Sequence, residues 1–165
     1  MKVSRTKRNA WLRLDDEALL KQCKEDRYKS GGPGGQRRNK VETAVKLHHG
    51  ASGASVHSND SRYLQRNRLT AVRRLRERIA LNVRAPFDLD SPELPDEFIN
   101  QRGSRGTLGV NEKNPVYPIV VATALDALQA TGGSYARTAD ALGITTSQLV
   151  KFLKSDREIQ RVLKP

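Results

Sequence analysis

The sequence predicts an α+β fold, a small mixed β-sheet with packed helices, followed by a small all-α module. Three observations carry this. Strand-like segments "TAVKLHH" and "ASVHSND" flank the turn sequence "GASG", the pattern of a β-hairpin. From Arg62 to Leu81 the apolar residues recur at helical period. Residues 85–103 carry three prolines and five acids, a composition that resists both helix and strand, before helical patterning resumes in "IVVATALDALQA".

The elements follow in order. "MKVSRTKRN" is basic and without periodicity and reads as a mobile arm. "DDEALLKQC" has an Asp placed to cap a helix, acids in the first turn, and Ala18, Leu19 and Leu20 for a buried side. "EDRYKS" reads as a strand leading into a glycine cluster. In the first hairpin arm Ala44 and Lys46 face one way, Val45 and Leu47 the other. On the long helix Leu64, Ala71, Val72, Leu75 and Ile79 form one stripe while Arg62, Arg66 and Arg73 gather opposite; Arg68 breaks the stripe. The expected organisation is a domain at 10–84, an acidic Pro-containing linker at 85–116 and a helical module at 117–165.

The net charge of +12 speaks about partners rather than fold. Residues 1–84 hold 21 Lys/Arg against 8 Asp/Glu, residues 85–103 hold 1 against 5, and residues 104–165 hold 8 against 5. The excess is N-terminal, as expected of a unit that sits on phosphates. No apolar run reaches membrane-spanning length and no secretory h-region is visible, so a soluble, cytoplasmic monomer is the expectation. The single cysteine, Cys23, admits no internal disulfide and reads as a small buried hydrophobe.

The segment "KSGGPGGQRRNK" concentrates backbone freedom and charge around one amide. Glycines at 31, 32, 34 and 35 leave main-chain N–H groups uncovered, and Pro33 shapes the loop. Gln36 offers hydrogen bonds but no acid or base at neutral pH, and Arg37, Arg38 and Lys40 supply cations for a phosphate backbone. Neither a P-loop ending nor a dinucleotide fingerprint is present. The parts suggest a site that works on an ester attached to RNA.

"GPGGQRRNKVETAV", "GASGASV" and "SRYLQRNRLTAVRRLR" together closely resemble the catalytic domain of class I peptide chain release factors and of short ribosome-rescue peptidyl-tRNA hydrolases, over roughly residues 15–81. The resemblance implies a loop entering the ribosomal peptidyl-transferase centre, where water cuts the ester of P-site peptidyl-tRNA. It implies that the Gln36 main-chain N–H donates to the oxyanion and the leaving group, that its side chain selects water, and that Gly34 and Gly35 permit the required backbone. A preorganised oxyanion donor contributes about 3–4 kcal/mol, and a backbone donor needs no ionisable partner. No nucleophile and base pair is evident: His48, His49 and His57 read as strand residues without a Ser or Cys partner. No cofactor is implied, and Cys23 with three histidines lacks metal-ligand spacing.

The chain also departs from the family pattern. The stretch before the glycine loop is too short for a stop-codon-reading domain, so codon-independent release is the expectation. The end, "SDREIQRVLKP", lacks the basic tail of rescue hydrolases; the N-terminal basic residues either substitute for it or form a solvated end. Arg62-Tyr63-Leu64 stands where the family often has Arg-Ser-Gln, while Asn67 is kept. In "TADALGITTSQLVKFL", Gly143 fits a left-handed cap and Thr145 or Thr146 the cap of a second helix, resembling bacterial helix-turn-helix modules. That helix would present Ser147, Gln148, Lys151 and Lys154 to phosphates or base edges, although the thin local charge favours a helical packing or RNA-docking module over a DNA binder. Two functions stay open: a peptidyl-tRNA hydrolase on the ribosome, or a non-catalytic ribosome- or nucleic-acid-binding regulator.

Overall fold

A computed structural model describes residues 3–29 and 41–164. The chain divides into two compact units, Arg13–Ile79 and Met1–Leu12 with Ala80–Pro165.

The unit Arg13–Ile79 is α+β. Its first helix, α2 (Asp16–Lys21), follows α1 (Arg5–Arg13) and starts where Asp15 accepts the Ala18 N–H at 2.7 Å; Asp16 and Glu17 then occupy the first turn, where the helix dipole favours acids. Three strands follow: β1 (Cys23–Tyr28), β2 (Ala44–His49) and β3 (Ala54–Ser58), in the order β1-β2-β3. Both pairings are antiparallel, where the sequence suggested a mixed sheet. The short β2–β3 turn enforces this for the hairpin, since parallel neighbours require a long crossover. That turn closes through Gly53, at φ +70°, whose N–H donates to His49 O.

The long helix α3 (Leu64–Asn82) fills the expected span, and Ala71, Val72, Leu75 and Ile79 are fully buried along the anticipated stripe. With Leu19, Val45 and Leu47 they make an aliphatic core. Arg68, the anomaly on that stripe, is satisfied by a two-pronged pairing with Glu25 of β1, Nε to Oε2 at 2.9 Å and Nη2 to Oε1 at 2.8 Å.

The other unit is helical: α1, α4 (Asp96–Ile99), α5 (Tyr117–Ala130), α6 (Tyr135–Leu142), α7 (Thr146–Ser155) and α8 (Arg157–Leu163). Helix α5 is buried on nearly every side, the signature of a central helix. Stretch 85–116, read from its prolines and acids as a linker, contributes Phe87 and the fully buried Phe98 to this core. Gly143 adopts the expected left-handed cap at φ +64°, and Thr145 then caps α7 by accepting the Gln148 N–H. No helix among the described residues is long and apolar enough to cross a membrane.

The N-terminal stretch differs from the mobile arm its composition suggested. It forms α1, with Arg8 wholly buried and Trp11 and Leu12 in the core. The reason is a distant acid: Arg8 Nη1 meets Asp126 Oδ2 at 2.5 Å, and Arg84 Nη1 meets Asp126 Oδ1 at 3.0 Å. A partner 118 positions away leaves no trace in local periodicity.

Candidate nucleic-acid interface

The register of the sheet gathers three chain segments at one end. Tyr28 pairs with Ala44 and Val45 with Ser58, so the exit of β1, the entry of β2 and the exit of β3 lie together. The β1–β2 connection, which carries the Gly-Gly-Gln tripeptide, therefore leaves from this end. Gly34, Gly35, Gln36, Arg37, Arg38 and Lys40 fall outside the described residues.

Asn67 ties the start of α3 to the same end. Fully buried, its Nδ2 donates to Thr43 O and Ser61 O, each at 2.7 Å, and its Oδ1 accepts from the Ser61 N–H at 2.9 Å and the Ser58 hydroxyl at 3.4 Å. One amide thus fastens the last residue before β2, the end of β3 and the turn into α3. Its role was not assigned from sequence, yet a polar residue on an apolar stripe, three positions after Leu64 and four before Ala71, was the available signal.

Six arginines and no acid lie between Asp60 and Glu77. The structure sorts them. Arg68 pairs with Glu25; Arg74 reaches Asp60 at 3.0 Å and His57 O at 2.9 Å; Arg76 reaches Asp16 at 2.5 Å and Leu14 O at 2.6 Å. The remaining three are Arg62, Arg66 and Arg73, the residues singled out from sequence, and all are exposed. Arg73 makes only a long contact with Glu77, at 3.7 Å. The guanidinium carbons of Arg62 and Arg66 lie 5.0 and 5.2 Å from the ring centroid of Tyr63.

The electrostatics reinforce this division. Burial pushes the Glu25 carboxyl up, but Arg68 and Arg27 overrule it and hold it below the ordinary carboxylate range. Asp60 is likewise held low: burial works against it, while the Ser58 hydroxyl and Arg74 prevail. Both carboxylates are therefore charged and spent on structural arginines at neutral pH.

The histidines serve the hairpin. His49 is buried, its Nδ1 2.7 Å from Ser52 Oγ and its Nε2 3.2 Å from Gln22 Oε1, and burial, with His48 nearby, lowers its pKa. His48 bonds to Ser55 at 2.7 Å. Among the described residues, no cluster of His, Cys, Asp and Glu could hold a metal ion.

In the helical unit, Lys151 and Lys154 are exposed on α7 and Gln148 is half-buried. Helix α7 contains no acid. Several acids of this unit are engaged elsewhere: Asp126 in the core, Asp156 as the cap of α8 and acceptor from Tyr117, Glu158 with Arg161.

Residues 17–92 match the family model described as the RF-1 domain. A peptide chain release factor 1 from Chloroherpeton thalassium is 42% identical over 96 residues, covering 58% of this chain and 25% of its own length. One from Chlorobaculum tepidum is 37% identical over 84 residues, 51% of this chain and 22% of its own. A peptide chain release factor 2 from Sulfurimonas denitrificans is 41% identical over 54 residues, 33% of this chain and 15% of its own. The chain spans about a quarter or less of these relatives. No solved structure gives a significant match.

Proposed function

We propose, on the premise that residues 17–92 belong to the catalytic-domain family of class I peptide chain release factors, that this chain promotes hydrolysis of the peptidyl-tRNA ester on the ribosome. The observation that carries the proposal is the sequence position of the Gly-Gly-Gln tripeptide, between β1 and β2 of such a domain, in a chain whose long helix offers exposed arginines that suit RNA. In this reading water attacks the ester carbonyl, the Gln36 N–H donates to the oxyanion, and the departing ribose oxygen takes up a proton. Gly34 and Gly35 allow the backbone to aim that donor, and the Gln36 side chain leaves room for water alone. Arg37, Arg38, Lys40, Arg62, Arg66 and Arg73 hold ribosomal RNA or tRNA phosphates. The reaction is taken to be independent of the codon in the ribosomal A site.

Release of labelled peptide from P-site peptidyl-tRNA, with and without a stop codon, tests both parts. Comparable release on the two templates supports codon independence. Gly35→Ala is expected to cut the rate about a hundredfold or more, the scale of losing an oxyanion donor, whereas Gln36→Ala keeps a main-chain N–H and loses less. Equal release by Gly35→Ala and the parent rejects the mechanism.

A second reading rests on α7. Its acid-free face with Gln148, Lys151 and Lys154 suits a nucleic-acid-binding regulator in which the β-containing unit only docks. Retention of duplex DNA by the full chain, lowered by Lys151→Gln and unaffected by Gly35→Ala, with no peptide release, favours that reading.

A further inference from the structure

We propose that Tyr63, whose ring lies close to the guanidinium groups of Arg62 and Arg66, is a stacking platform for an unpaired RNA base on its exposed side, with the two arginines reaching that nucleotide's phosphates. This rests on the ribosome-directed reading above, but its test does not depend on catalysis.

Tyr63 is no core residue. Tyr63 is 48% exposed, while Asn67, one turn on, is wholly buried and does the fastening. An exposed aromatic ring offers apolar π surface that a stacked base would cover. Two guanidinium groups within 5.2 Å of the ring centroid restrict the ring and place flat cations beside it. Neither arginine has a carboxylate partner among the described residues, in contrast to Arg68, Arg74 and Arg76. Their charge is therefore available to an anion.

The surroundings favour RNA over an apolar or basic partner. From Ser61 to Arg76 there is no acid, and Arg66, the exposed Leu69 and Arg73 continue along one side of α3 over about 10 Å. An aromatic ring among cations matches a base on its own phosphate backbone, and an unpaired base has the free face that a base inside a duplex lacks. The site also stands at the sheet end from which the β1–β2 connection leaves, through the Asn67 bond to Thr43 O. Where the family resemblance calls for a small polar residue, this chain carries the ring.

The test uses the full chain and a short unpaired RNA containing one 2-aminopurine, whose fluorescence falls on stacking. The parent is expected to bind and quench it, and Tyr63→Phe to do the same. Tyr63→Leu, which keeps apolar bulk without the π-face, is expected to abolish quenching and weaken binding about tenfold. Arg66→Gln should lower the slope of log affinity against log salt by about 0.7. Quenching by Tyr63→Leu equal to the parent, no quenching by the parent, or equal quenching of the same probe in a duplex overturns the proposal. Peptide release is measured in parallel. Tyr63-dependent quenching without release keeps the stacking site and removes the hydrolase reading; release with Tyr63-independent quenching does the reverse.

Discussion

The two units put charge to opposite uses. In Arg13–Ile79 the core is aliphatic and ion pairs sit at its margin, with Glu25 and Arg68 side chains 18% and 25% exposed. In the helical unit an ion pair lies inside the apolar core, with Arg8 and Asp126 side chains both at 0%. A marginal pair is a fastening that gains little and costs little to lose, whereas a buried pair is all-or-none because either partner alone is stranded in a low-dielectric interior. The contrast shows how a chain of net charge +12 keeps some cations free: marginal acids are matched to Arg68, Arg74 and Arg76, while Arg62, Arg66 and Arg73 stay exposed.

The sharpest way to break this comparison is Asp126→Ala. It strands Arg8 and Arg84 and removes the acceptor of the Ala85 N–H, so denaturant titration is expected to show a loss of about 3–5 kcal/mol. Burial already draws Arg84 down to about 10 and pushes Asp126 up against the pull of both arginines, signs of a group that tolerates no further loss of partners. A change below about 1 kcal/mol would show the interior pair to be as dispensable as a marginal one. Next in size is Asn67→Ala, which leaves the buried Thr43 acceptor and the part-buried Ser61 acceptor without this donor, at a cost of about 1–3 kcal/mol by the same titration.

The smallest effect sharpens the marginal side. Glu25 has a folded pKa below its unfolded value near 4.3, so its stabilisation is present above about pH 4 and is lost as pH falls through the folded value. Unfolding of the parent and Glu25→Gln followed against pH should show a gap at neutral pH that closes in acid. A gap that is constant with pH would mean that packing, not charge, is what Glu25 contributes.

Legibility followed the range of the interactions. The hairpin, α2 with its Asp15 cap, α3 and the Gly143–Thr145 turn were readable because each is specified by neighbours within a few positions. Arg62, Arg66 and Arg73 share one helical face, but the ion pairs of Arg68, Arg74 and Arg76 are what set those three apart. What escaped was long-range: α1 is ordered by Asp126, and the stretch 85–116 gives up Phe98 to the interior despite its prolines. Asn67 and Tyr63 escaped for a different reason. Their identities were plain, but only the folded structure shows that one anchors the β2 entry and that the other is half exposed beside two arginines.

Cys23 carries a practical consequence. Its thiol lies against Leu19 O at 3.2 Å, and burial raises it to about 11, so on the order of one molecule in ten thousand holds a thiolate at neutral pH. A cysteine introduced at the exposed Lys29, next to the segment that carries the Gly-Gly-Gln tripeptide, would ionise far more readily. Maleimide dyes or cross-linkers would then mark the β1–β2 connection selectively in the otherwise native polypeptide, and the resident sulfur need not be engineered away.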